Sequence, residues 1–218
     1  MEKLRLVVFD VDGTLIKVKS SWQFLHRQIG TWDMGRKHAK LFLRGQISYE
    51  EWARLDASLW KNMPFDRVQE IMGSIQYTDG VREVITLLRN EGLKVVLLSA
   101  GLSVVTNMVR REIGVDCSYA NELVVKNGFL TGEVKVNVAF GNKDGVLKSV
   151  LQEFGSGFDE CAAVGDDETM IPLFDSVGLG IAFNPCTGTV EEHADVVVRG
   201  NDLRGVLPYL LVSKRLGF

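Results

Sequence analysis

The chain has 218 residues, 46% hydrophobic and 24% charged, an ordinary globular composition that excludes disordered and fibrous classes. Basic residues number 25 and acidic 28, so the formal charge of −3 supplies no overall positive field to hold a nucleic-acid backbone. The longest uncharged apolar stretch, residues 95–109, is too short for a membrane span and is broken by Ser99, Gly101, Ser103, Thr106 and Asn107, so neither nucleic acid nor membrane is expected as a partner.

The chain opens with MEKLRLVVFD, where an acid stands among the bases and no apolar signal-peptide region follows, so a cytoplasmic location is expected. Residues 4–9 read as a strand. Residues 16–76 then read as several helices with breaks near Gly30, Gly45 and Met63-Pro64. All four tryptophans, Trp22, Trp32, Trp52 and Trp60, fall in this insert, with Phe24, Phe42, Tyr49 and Phe65. Such aromatics form the insert's own core and its contact with the rest of the chain; the alternative is a substrate pocket lined by rings. Lys17, Lys19, Arg27, Arg36, Lys37, Lys40 and Arg44 stand there against one acid, Asp33, an excess that either steers an anion or is a solvated helix face.

Helix-period segments over 80–90, 103–113, 142–154 and 168–177 each close on a glycine. They alternate with apolar strand-length runs at 94–98, 161–164, 179–183 and 196–198. Continuous rather than alternating apolarity fits strands covered on both faces, so the expected class is α/β with a parallel sheet between helices. Asn127-Gly128, between two apolar arms, predicts a type I′ hairpin. Cys117, Cys161 and Cys186 are too scattered for a disulfide framework or a metal knuckle and read as small buried hydrophobes.

The first strand delivers Asp10-Val11-Asp12-Gly13-Thr14 at its carboxyl end, where open α/β sheets bind ligands. Two carboxylates that close repel unless a cation or a reacting group uses them. A calcium loop fails because Thr14 and Ser21 stand where it needs acids, whereas a hairpin at Asp12-Gly13 stays open. Ser99, followed by Ala100-Gly101 and a helix, suits an anion cradle. Lys143 opens the 142–154 helix, an unfavourable place for a cation unless an anion partners it. Gly165-Asp166-Asp167 follows the strand at 161–164.

The order DVDGTL at 10–15, Ser99-Ala100-Gly101, Lys143 and VGDD at 164–167 resembles the haloacid dehalogenase superfamily, within it the phosphoserine-phosphatase-like branch. The resemblance implies a Rossmann-like three-layer parallel-sheet core of residues 1–15 and 77–218, a small inserted helical cap of residues 16–76, and a β-hairpin flap. It implies a Mg²⁺-dependent phosphomonoesterase working through an aspartyl-phosphate on a small phosphorylated metabolite. Asp10 would then be the nucleophile, Asp12 the general acid and later base, and Ser99 with the amides of Ala100 and Gly101 the phosphate cradle. Lys143 would neutralise charge, and Asp10, Asp12 through its backbone carbonyl, and Asp166 would hold the metal, with Asp167 as a further candidate. Tyr49 and Lys19, Arg54 or Asp56 would meet the substrate from the cap side.

Two departures qualify that picture. Met170 and Thr169 stand where the family carries a second acid and an Asn, which predicts weaker Mg²⁺ binding. The positions that read phosphoserine's ammonium and carboxylate fall on Lys19 and Asp56, both of reversed charge, or by a slip of the latter on Arg54. Phosphoserine is accordingly expected to be a poor substrate. A phospho-ligand binder that has lost turnover and a phosphotransferase are the alternative functions.

Overall fold

The computed structural model describes residues 3–212. Strand β1 (Leu6–Phe9) leads into four helices, α1 (Ser21–Gln28), α2 (Trp32–Leu43), α3 (Tyr49–Ser58) and α4 (Phe65–Gly73). Helix α5 (Val81–Asn90), β2 (Lys94–Leu102), α6 (Ser103–Ile113) and the strands β3 (Cys117–Lys126) and β4 (Phe129–Lys135) follow. The chain continues through α7 (Lys143–Phe154), β5 (Cys161–Gly165), α8 (Ile171–Phe174), β6 (Leu179–Phe183), α9 (Gly188–His193), β7 (Val196–Val198) and α10 (Leu207–Val212).

The strands form one sheet in the order β4-β3-β2-β1-β5-β6-β7, parallel except for β4. β1 sits in the middle and is buried throughout, as its unbroken apolar sequence requires. Successive residues face opposite layers. Val7, Phe9, Val95 and Leu97 pack with α5 and α6, while Leu6, Val8, Val96 and Leu98 pack with α7 and α8. The result is the α/β three-layer sandwich expected from the alternating pattern.

Helices α1 to α4 share the first of these cores: Trp22, Leu25, Ala53, Trp60, Val68 and Met72 belong to the same buried cluster as Val7 and Phe9. The chain enters and leaves this helical insert at one place, where Ile16 pairs with Tyr77 and the Thr78 amide donates to the Leu15 carbonyl at 2.9 Å. The hairpin grips its far side. The Asn62 amide donates to the Leu130 carbonyl and the Leu130 amide to the Met63 carbonyl, both at 2.9 Å, and Pro64 bridges to Phe129. Asn127 and Gly128 have φ of 53° and 82°, the left-handed pair a type I′ turn demands.

Three local expectations are corrected. β2 runs on to Leu102, so Ser99-Ala100-Gly101 is irregular strand rather than a helix start, with a register shift in its pairing to β3. The helix expected over 168–177 divides into a 3₁₀ turn, Glu168–Met170, and the short α8. The Asp167 carboxylate accepts from the Thr169 amide and tightens that turn, and Pro172 fits only the first turn of the helix that follows. Of the cysteines only Cys161 is buried; Cys117 is half-buried and Cys186 exposed. Among the described residues no helix is long and apolar enough to cross a membrane.

Candidate active site

Asp10 continues β1, and its amide donates to the Val164 carbonyl of β5 at 2.9 Å, which fixes the side chain at the sheet's carboxyl edge. One carboxylate oxygen accepts from the Val11 amide at 2.7 Å; the other lies 2.9 Å from Nζ of Lys143. Lys143 is fully buried at the first turn of α7, and its anionic partner, expected from its position at the positive end of the helix, is Asp10. Burial pushes the Asp10 carboxyl up to about 7, with Asp167 and Asp166 adding to the rise and Lys143 opposing it.

Asp12 is held differently. The backbone N–H of Ser21 (2.6 Å) and its hydroxyl (2.7 Å) both donate to Oδ2, while Oδ1 is buried without a partner. Burial raises this carboxyl to about 6 against the pull of those two hydrogen bonds. The Ser21 hydroxyl also accepts from the Leu102 amide at 3.0 Å, tying the first turn of α1 to the end of β2. Glycine is required at two adjoining places. Gly13 has φ +77°, and a Cβ there would collide with the Asp166 carboxylate; at Gly101 it would lie 2.7 Å from Asp12 Oδ2 and 2.5 Å from Ser21 Oγ.

Ser99 is buried, and its hydroxyl accepts from the Gly101 amide at 3.0 Å. The Ala100 carbonyl between them accepts from three donors: the Tyr49 hydroxyl (2.6 Å), the Trp22 indole (3.1 Å) and the Asn121 amide (2.8 Å). Two of those donors belong to the helical insert, so the loop facing Asp10 and Asp12 is clamped from above. Asn121, fully buried, also donates to the Val138 carbonyl and accepts from the amides of Asn137 and Val138. Sequence reasoning missed Asn121 and Ser21. The Ser20-Ser21 pair opening a helix was a visible signal for the second; nothing local distinguished the first.

Asp166, just past the end of β5, is almost wholly buried and accepts from the Thr14 hydroxyl (3.2 Å) and from Lys19 (2.6 Å). Burial raises its carboxyl, against the opposing effect of Lys19. The exposed Cys186 approaches the same oxygen, at 3.3 Å, so this cysteine adjoins the cleft rather than filling a core. Asp167 borders the cleft, but one of its oxygens is engaged by the amide and hydroxyl of Thr169 at 3.0 and 2.5 Å. Met170 is fully buried with its sulfur 3.3 Å from Lys143 Nζ, so no carboxylate occupies that place.

Asp10, Asp12, Lys19, Ser99, Ala100, Gly101, Lys143 and Tyr49 thus line one cleft of about 220 Å³. Asp166 lies just behind that lining, and two candidates for substrate contact are not part of it. Arg54 is exposed on α3 and forks onto Glu51 at 2.6 and 3.1 Å. Asp56 is turned into the insert's interior, 2.7 Å from His38 Nδ1 and 3.0 Å from His26 Nε2. Both are corrected as substrate contacts: the first is spent on a surface pair and the second is sealed between two histidines.

The family model described as haloacid dehalogenase-like hydrolase matches residues 7–174. A phosphoserine phosphatase of Methanocaldococcus jannaschii is 32% identical over 211 residues, 96% of this chain and 99% of that one. Another, of Wolinella succinogenes, is 29% identical over 95% of this chain and 100% of its own length. A substrate-bound phosphoserine phosphatase complex superposes with a TM-score of 0.83 at 31% identity, covering 96% of this chain and 100% of that one. A phospho-aspartyl intermediate analogue of phosphoserine phosphatase gives 0.82 at 32%, with the same coverage.

These relatives overturn the expectation that phosphoserine is disfavoured, and the geometry supplies a reason. The two side chains behind that expectation are engaged within the protein, Lys19 on Asp166 and Asp56 between His26 and His38, so neither stands free to meet the substrate with the wrong sign. With the sheet order, the family match and the near full-length likeness all in agreement, the chain belongs to the haloacid dehalogenase-like hydrolases, on the phosphoserine-phosphatase-like branch, and is a phosphatase.

Proposed function

We propose that this phosphatase hydrolyses a small phosphomonoester, with phosphoserine as the candidate its relatives supply, through an aspartyl-phosphate on Asp10 and with Mg²⁺ as cofactor. Residues 16–76 would be the cap and residues 1–15 and 77–218 the catalytic core. The observation that carries this proposal is the unlike treatment of two neighbouring carboxylates: Asp10 is paired with a buried cation, and Asp12 keeps one buried oxygen free.

In the first step an Asp10 oxygen attacks phosphorus and the bond to the leaving alkoxide breaks. Lys143 offsets the charge that gathers there, and Ser99 with the Gly101 amide borders the phosphoryl oxygens. Asp12 gives its proton to the leaving oxygen. Because both Ser21 donors sit on Oδ2, the proton belongs on Oδ1, and burial keeps the acid partly protonated near neutral pH. In the second step Asp12, now ionised, takes a proton from water as the water oxygen attacks phosphorus and the bond to Asp10 breaks.

The donor set fits Mg²⁺. Asp10 and Asp166 are buried carboxylates at adjacent strand ends, and hard oxygen ligands are what this ion takes. No closed cage of three Asp, Glu, His or Cys side chains exists among the described residues. That suits an ion commonly held by one or two carboxylates together with substrate and water. With Met170 in place of an acid, Asp10 and Asp166 carry the site, which supports weak metal binding. When bound, the ion lowers the repulsion between the carboxylate and the phosphoryl group.

Phosphate release from phosphoserine and from p-nitrophenyl phosphate, with and without Mg²⁺, tests the proposal. Turnover should require the metal and fall at least about 10³-fold in Asp10→Asn, a variant that keeps the shape and removes the nucleophile. Undiminished turnover in a folded Asp10→Asn protein would refute the assignment.

A further inference from the structure

Above the phosphoryl site the cleft is walled by rings. Trp22, Phe42, Tyr49, Trp52 and Phe140 all line it. They form one continuous network: Trp22 to Trp52 at 5.0 Å, Trp52 to Tyr49 at 5.1 Å, Trp52 to Phe42 at 6.0 Å, and Phe42 to Phe140 at 5.7 Å between centroids. Four of these rings come from the helical insert, and Phe140 comes from the segment before α7, so the wall spans both sides of the opening. At its outer edge Phe140 is 48% exposed and Leu43, also lining the cleft, 77%. Large apolar side chains are left in water there, continuous with a buried catalytic floor, as expected where a ligand's body completes the packing.

The charge pattern narrows that body. The only charged side chain the insert contributes to the lining is Lys19, and it is engaged with Asp166. Asp56 is sealed away, and Arg54 points elsewhere. With Lys19 engaged on Asp166, the cap side of the lining presents no free side-chain charge to the ligand's body. The indole N–H of Trp52 is buried with no partner, a donor that an acceptor can relieve and a cation cannot.

We infer that this wall is a leaving-group subsite for phosphomonoesters carrying a neutral planar aromatic body, a substrate class additional to phosphoserine. It rests on the phosphoryl site proposed above but not on phosphoserine turnover.

Binding of non-hydrolysable phosphonates tests it, read by quenching of tryptophan fluorescence, which reports directly because all four tryptophans lie in the insert. Naphthylmethylphosphonate should bind at least about tenfold more tightly than methylphosphonate to the wild-type protein in Mg²⁺. Phe42→Ala and Trp52→Ala should each erase most of that ratio, and Trp52→Phe, which keeps a ring, should retain it. If Trp52→Ala does not fold, Phe42→Ala decides alone. Equal affinity for the two phosphonates, or an alanine variant with the ratio intact, overturns the inference. So does tighter binding of a trimethylammonioethyl phosphonate, which would make the wall a cation cage. Naphthyl preference without phosphoserine turnover would uphold the subsite and defeat phosphoserine as substrate; turnover without the preference would do the reverse.

Discussion

The two walls of the cleft are held by different means. On the sheet side, Asp10, Ser99 and Asp166 stand at or just past the ends of β1, the regular part of β2 and β5, where the pairing of those strands places them, and the Asp10 amide itself donates to Val164. The cap side has no strand of its own among the described residues. Rings pack on rings, and the buried Asp56 is turned inward against two histidines. One wall is therefore built for chemistry that tolerates little displacement, and the other for shape. Substitutions should accordingly divide: those on the sheet side change turnover in a folded protein, and those inside the insert change stability.

The sharpest test of the sheet side is Asp12→Asn. It removes the proposed proton donor while keeping a group that fits the Ser21 contacts, so turnover of an alkyl phosphate should fall about 10² to 10⁴-fold. Turnover of p-nitrophenyl phosphate, whose leaving group needs no proton, should fall far less. Equal losses on the two substrates would deny Asp12 the acid role.

On the cap side, Asp56→Ala should cost about 1 to 3 kcal/mol of stability, because it removes the hydrogen-bond partner of His38 and leaves a buried void beside His26. The melting temperature reads this directly. Activity per folded molecule should stay near that of the wild type, and a large kcat defect at unchanged stability would instead put Asp56 in the cleft.

The same contrast explains what could be read from the sequence. DVDGT, Ser99, Lys143 and GDD are local motifs because a strand end dictates where the next side chain goes, and their spacing along the chain survives folding. The cap side has no such grammar. The positions of Lys19 and Asp56 could be counted, but not that Lys19 folds back 147 residues onto Asp166 or that Asp56 turns inward to two histidines. Asn121 was invisible for the same reason: its five contacts join three separate segments, and an Asn in a strand-like run carries no mark of that. The hairpin was legible from two residues, while the parallel half of β3 that precedes it was not, since Cys-Ser-Tyr-Ala is neither alternating nor strongly apolar.

A smaller effect follows from the burial that tunes Asp12. In the metal-free protein its carboxyl is held up at about 6, against 3.8 as the ordinary value. The folded state therefore binds more protons between those limits, and the contribution to stability present at low pH is lost as pH rises through about 6. Asparagine does not titrate. The melting temperature of Asp12→Asn minus that of the wild type, measured in a chelator, should widen from about pH 4 to pH 6 and then level. A gap that narrows over that range would mean the ionised form is the better satisfied one in the fold.

The smallest expected change concerns Lys19, where the two walls touch. Its ammonium donates to Asp166 Oδ2 at 2.6 Å, occupying an oxygen that a divalent cation would use. Asp166 is buried, but the lysine side chain is 53% exposed, so water screens the pair and limits what it contributes. Lys19→Met removes the competing charge and keeps the stem. Calorimetric titration with Mg²⁺ should then show roughly fivefold tighter binding, in line with an exposed pair of about 1 kcal/mol. Weaker binding in Lys19→Met would mean the lysine holds Asp166 in its binding position, which would make the cap side part of the metal site rather than a rival to it.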